Sequence, residues 1–287
     1  MVVGSGSAGE VAMKVDHLIY GTFPDTPGSQ HVIYKSEGVT PVLQNWLIAF
    51  YDQFGDCRNE NFSKSLSVCW YREQPGEERA AITQVSHHGK DFSGRWGALL
   101  RHSAILTPEQ YGSFGFSPAE ITDHLASSGT AEQLINFGDL DFEPALSATD
   151  GTLLVSVGAG LSVDDYRLNL LALLKGQRLV LYAENNTDFS NCYLRNLVGL
   201  LPRRCRQVLN WSEFVFRTSD DLDLSLVYSS RHEAPADGRL AFVTVGENHV
   251  RELKLPDDYA EDYLVKLSAA IAQNDIVSLT SLLTADS

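Results

Sequence analysis

Between Asp91 and Leu106 the chain reads DFSGRWGALLRHSAIL, and this stretch gathers the side chains with the greatest chemical capacity in the sequence. Gly94 and Gly97 flank Arg95-Trp96, opening backbone angles closed to other residues and holding a guanidinium beside an indole. Such a pair can grip a carboxylate or phosphate with parallel N–H donors while the ring offers a stacking face. Further on, Leu100-Arg101-His102-Ser103 lies in an apolar run. On a strand, alternation puts Arg101 and Ser103 on one face and His102 on the other. The candidate ligand or partner site is therefore Asp91, Gly94, Arg95, Trp96 and His102. No base–nucleophile couple can be assigned to it, so no residue is designated catalytic. The plainer reading makes His102 a core histidine bonded to a backbone carbonyl, and Arg95 the ion-pair partner of Asp91.

Other patterns carry less chemistry. Gly158-Ala159-Gly160 follows an apolar run, but the third glycine of a dinucleotide fingerprint would fall where Val163 stands. No GxxxxGK[ST] loop, HExxH pair or GxSxG elbow occurs. His87-His88 would point to opposite faces of a strand, and His17, His31, His124, His232 and His249 are scattered. Cys57, Cys69, Cys192 and Cys205 form no CxxC pair, which favours reduced thiols over zinc or disulfides. Neither a metal nor a cofactor is expected. The run Pro202-Arg203-Arg204-Cys205-Arg206 stands out in an acidic chain. It either neutralises the last carbonyls of a preceding helix or forms a local anion or partner site.

The formal charge of −15 over 287 residues argues against nucleic acid and anionic membrane surfaces as partners. No apolar stretch reaches the roughly 18 residues a membrane span needs. Residues 1–13 (MVVGSGSAGEVAM) read as a flexible leader or an expression scar, with Met13 a candidate native start and no signal peptide. A cytoplasmic location follows from these features.

The elements that must position the candidate residues are legible from periodicity. VDHLIYGT (Val15–Thr22) and QHVIYK (Gln30–Lys35) alternate as strands around a Pro/Gly turn and form a hairpin. Thr40, Pro41 and Gly55 bracket a helix whose Leu43, Trp46, Leu47 and Phe50 share one face. SLSVCWYR, RAAITQVSH and GALLRHSAIL then make an antiparallel meander. Helices are expected from Ser117-Pro118 and Thr130, and residues 138–150 form an acidic boundary or long loop. Beyond it come a strand or short helix at Thr152–Val157 and a helix from Ser162 to the closing Gly176. Next are the buried strand RLVLYA, a helix stopped by Pro202, three further strands, and a last helix over Pro256–Ile271. The fold class is α+β: an antiparallel β-rich N-terminal half (residues 14–145) and a more α/β-like C-terminal half (146–287).

The order HLIYGTF, QHVIYKSEGVTP, DFSGRWGALLRHSAIL, then RLVLYAENN and LRNLVGLLPRRCRQVLNWSEFVF, carries a resemblance. It resembles the N-terminal domain of the bacterial GTPase-associated proteins of conflict or anti-phage gene clusters, across most of Val15–Tyr228. Trp96 departs from the small residue or proline expected after Gly-Arg, and nothing from about Gly238 onward has a counterpart. The resemblance implies a non-GTPase accessory protein that recognises a partner or ligand, with a GTPase encoded nearby as the partner. Asp91, Gly94, Arg95 and His102 align with its most distinctive stretch. Two alternatives stand beside it: a hydrolase or nucleotide-modifying enzyme using an Arg95/His102 pocket, and a self-assembling structural protein.

Overall fold

A computed structural model describes residues 13–22, 30–51, 64–72, 77–87, 90, 99–114, 118, 121, 141–142, 163–182, 187–215, 226–229, 241–247, 256–273 and 275–284. Asp91, Gly94, Arg95 and Trp96 lie outside them. So do the 158–160 glycine pair, the caps expected at Gly55 and Ser162, residues 152–157, and nearly all of the helices expected from Ser117 and Thr130.

The first strands are β1 (Met13–Lys14), β2 (Asp16–Gly21) and β3 (His31–Lys35), followed by helix α1 (Pro41–Tyr51). The expected meander is β4 (Lys64–Arg72), β5 (Glu78–His87) and β6 (Leu99–Leu106), closed by α2 (Pro108–Ser113) and the short β7 (Asp141–Phe142). The second half brings α3 (Val163–Leu174), β8 (Gln177–Tyr182), α4 (Thr187–Gly199) and the single turn α5 (Arg203–Arg206). Strands β9 (Trp211–Val215), β10 (Leu226–Ser229) and β11 (Ala241–Glu247) precede α6 (Asp257–Ala272) and α7 (Ile276–Thr284). The protein is α+β.

Nine of these strands make one sheet in the order β11-β8-β10-β9-β4-β5-β6-β2-β3. From β9 to β3 every pairing is antiparallel. Strand β10 runs parallel to both β8 and β9, the arrangement that crossover helices permit. The expected contrast between the halves is therefore real, yet residues on both sides of position 145 share one sheet and one hydrophobic core.

The join between β4 and β9 is built with side chains. Only Ser67↔Ser212 and Val68↔Trp211 are in register. On one side of that short ladder the Trp70 amide donates to Asn210 Oδ1 at 2.7 Å, and on the other the Leu66 amide donates to Glu213 Oε2 at 2.8 Å. An amide oxygen and a carboxylate oxygen thus stand in for backbone carbonyls, as buried N–H groups require.

Local signals explain most element ends. Thr40 Oγ1 accepts from the Leu43 amide, and Leu43, Leu47 and Phe50 are buried with Trp46 half-buried. Gly21 ends β2 at φ 153°, where an added Cβ would lie 2.2 Å from the Leu99 carbonyl oxygen. Gly176 ends α3 at φ 76°, its amide donating to the Leu173 carbonyl. Among the described residues, the arginine run is not seen capping the preceding helix. Pro202 starts the new turn α5, and the carbonyl of Leu200 past α4 is taken by the Tyr263 phenol. Buried Arg206 instead reaches the Leu283 carbonyl near the end of α7 at 2.7 Å. Arg204 lies over the Tyr259 ring. Arg206 thus serves a helix end distant in sequence, because Pro202 starts a separate turn after α4.

Candidate functional site

Every residue of β6 is buried, because β5 and β2 pair with it on both edges and both of its faces are covered. Alternation then sorts its polar side chains. Arg101 and Ser103 point to the face packed by α1, and His102 points to the opposite one.

On the α1 face a chain of hydroxyls converges on Ser103. The Tyr51 hydroxyl, from the last residue of α1, hydrogen-bonds Ser103 Oγ, and Thr83 Oγ1 lies 2.6 Å from the same atom. Register explains the row: Ser212, Ser67, Thr83 and Ser103 are successive cross-strand neighbours on β9, β4, β5 and β6, all buried. Arg101, 1 % exposed, donates to Gln30 Oε1 at 3.2 Å and lies 5.8 Å from the centre of the Tyr20 ring. Tyr20 in turn stacks on Tyr51. Burial raises the Tyr51 phenol above its usual range, although the Ser103 hydrogen bond and the Arg101 charge pull the other way. Tyr51 is thus a neutral hydrogen-bonding group at physiological pH, not a base.

On the opposite face His102 meets His17. Nδ1 of His17 and Nε2 of His102 are 3.2 Å apart, joining β2 to β6 in the core. His102 is 3 % exposed and His17 fully buried. Burial, and secondarily His17, hold the His102 imidazole well below its usual pKa, so it is neutral. The expectation of a core histidine is met, but its partner is another imidazole rather than a backbone carbonyl. No group of three or more His, Cys, Asp or Glu capable of holding a metal occurs among the described residues.

Ser103 and His102 are adjacent in sequence and sit on opposite faces, so neither can activate the other. What sequence reasoning missed is the company these residues keep. His17 reads as a scattered histidine, and Tyr51 as the end of an amphipathic helix; only the β2–β6 register and the seating of α1 reveal their roles. The hydroxyl row had a faint signal on β4 alone, where Ser65 and Ser67 recur at alternate positions.

No protein-family model matches the sequence, and no curated protein matches it. Among the described residues no helix is long and apolar enough to cross a membrane.

Proposed function

We propose that this chain is a non-GTPase recognition component that works beside a bacterial GTPase of a conflict or anti-phage gene cluster, in the cytoplasm. The observation that carries the non-enzymatic part is the back-to-back placement of Ser103 and His102. The polar side chains of β6 are engaged with side chains of other segments, Arg101 with Gln30, His102 with His17, and Ser103 with Tyr51 and Thr83, which supports a scaffold role for the strand. In this reading the stretch DFSGRWG, which precedes β6 in the sequence, supplies the contact residues, with Arg95 and Trp96 as anchors. Arginine and tryptophan are the residue types that most often dominate binding energy. The GTPase partner rests on the sequence resemblance across Val15–Tyr228.

Co-expression with the GTPase encoded beside it, followed by size-exclusion chromatography in GDP and in a non-hydrolysable GTP analogue, tests the reading. Co-elution in at least one nucleotide state is the expected result. Replacing Arg95 and Trp96 with alanine is expected to weaken that complex about 30-fold or more, the effect of losing a binding hot spot. Separate elution in both states would overturn the partner. An intact complex in the Arg95→Ala/Trp96→Ala variant would overturn the docking stretch.

A further inference from the structure

The imidazole pair on the far face of β6 has no part in the proposed recognition stretch, and its surroundings give it a task. His17 lies on β2 and His102 on β6, so their contact ties the β2–β3 hairpin to the rest of the sheet across a ladder of six residue pairs. Two neutral imidazoles 3.2 Å apart share one proton: one nitrogen donates and the other accepts. A charged imidazole has no acceptor nitrogen and needs partners for two N–H groups. A doubly protonated His102 carries an N–H on both ring nitrogens: Nδ1 has no hydrogen-bond partner among the described residues, and Nε2–H then requires His17 Nδ1 to accept. It would also place a charge against a ring that must then stop donating.

Among the described residues, the cross-strand neighbours of His102 on this face carry no charge. Gln84 lies across from His102 on β5 and Ile19 on β2, with Tyr34 beyond Ile19 on β3, while the Ser36 hydroxyl accepts from the His17 backbone amide; none of these is charged. Helix α2 presents buried Tyr111 and keeps Glu109 exposed. Lys35 is registered with Leu18, which puts it toward the Arg101 face. Glu213 shares the His102 face but sits three strands away and is paired with Arg195. A metal is the weaker occupant, because no third His, Cys, Asp or Glu among the described residues completes a site with the two rings.

We infer that the His17–His102 pair is a proton-sensitive clasp that holds the β2–β3 hairpin against β6 at neutral pH and releases it on acidification. An opened hairpin exposes His102 to water, where it takes a proton at its ordinary pKa near 6.5, whereas the closed ring stays neutral. Linkage then sets the size of the effect. Between pH 7.5 and 5.5 the opening equilibrium rises about tenfold for one histidine that titrates only when open.

Amide hydrogen exchange at the two pH values, corrected for intrinsic rates, reads this directly. The amides of residues 16–21 and 31–35 are expected to lose about tenfold protection at pH 5.5, while those of the β4–β5 pair hold theirs. In a His17→Asn/His102→Gln variant the pH dependence is expected to vanish. Unchanged hairpin protection in the unmodified protein would overturn the clasp, as would the same acid response in the variant. If the variant does not fold, nitrogen-15 spectra of the histidines in the unmodified protein decide. A charged His102 in a hairpin still fully protected at pH 5.5 overturns the proposal, and a neutral His102 until the hairpin opens supports it.

Discussion

Ser103 sits at the centre of a closed set of hydroxyls, with Tyr51 from α1 on one side and Thr83 from β5 on the other. Because all three are buried, each lost partner leaves a polar atom short of a hydrogen bond in a low-dielectric interior. Replacing Ser103 with alanine is expected to cost about 1–2 kcal/mol in urea unfolding. Combined with Tyr51→Phe it should cost less than the two single changes added together, by about 0.5 kcal/mol or more. Strict additivity would show that the hydroxyls do not act as a unit. His102 makes a prediction with a sign. Its folded pKa lies below the unfolded value, so the unfolded chain binds more protons as pH falls through about 6.5. Stability is then fully present above that pH and declines below it, which a melting series from pH 8 to 5 checks. The split of Arg101 and Ser103 from His102 was legible in the alternation of LRHS. Which residues wait on each face was not, since Tyr51 and His17 are 52 and 85 residues away in sequence from their partners.

Helix α2 is plainly written in the chain, yet the periodicity of the sequence does not announce it. Thr107-Pro108-Glu109-Gln110 is a capping box with proline in the first turn. The Gln110 amide donates to Thr107 Oγ1 and the Thr107 amide to Gln110 Oε1. Thr107→Ala is expected to cost about 1 kcal/mol by chemical denaturation. A cost near zero would mean that Tyr111, buried against Trp70, holds the helix without its cap. Helix α7 was missed for the same reason. Its only start signal is Asp275, whose carboxylate accepts from both the Ser278 amide and the Ser278 hydroxyl. Where an apolar period ran for several turns, as in α1, α3, α4 and α6, reading and structure agree. Short helices lack the repeats from which a period can be counted.

Across the molecule, the two halves are held by contacts that no local pattern announces. Strands β4 and β9 pair over two residues, and Asn210 and Glu213 extend that join with side-chain oxygens. Asn210→Ala strands the buried Trp70 amide and is expected to cost about 1–3 kcal/mol, measured by urea unfolding. Wild-type stability in that variant would show that the join does not depend on the side-chain bridge. Glu213 is held by Arg195 of α4, and burial still raises its carboxyl above the usual value. Within the C-terminal half, Arg206 ties α5 to the end of α7.

Composition, strand alternation and helix caps specify elements because they act over a few residues, where backbone geometry and the burial of one face decide the outcome. They carried the α+β class, the hairpin, the antiparallel meander and the opposite facing of Arg101 and His102. The order of nine strands, the two-residue join, the hydroxyl row and the imidazole pair belong to another kind of choice. Each depends on which distant edge or face meets which, and that is settled by side-chain fit and hydrogen-bond satisfaction across the whole sheet.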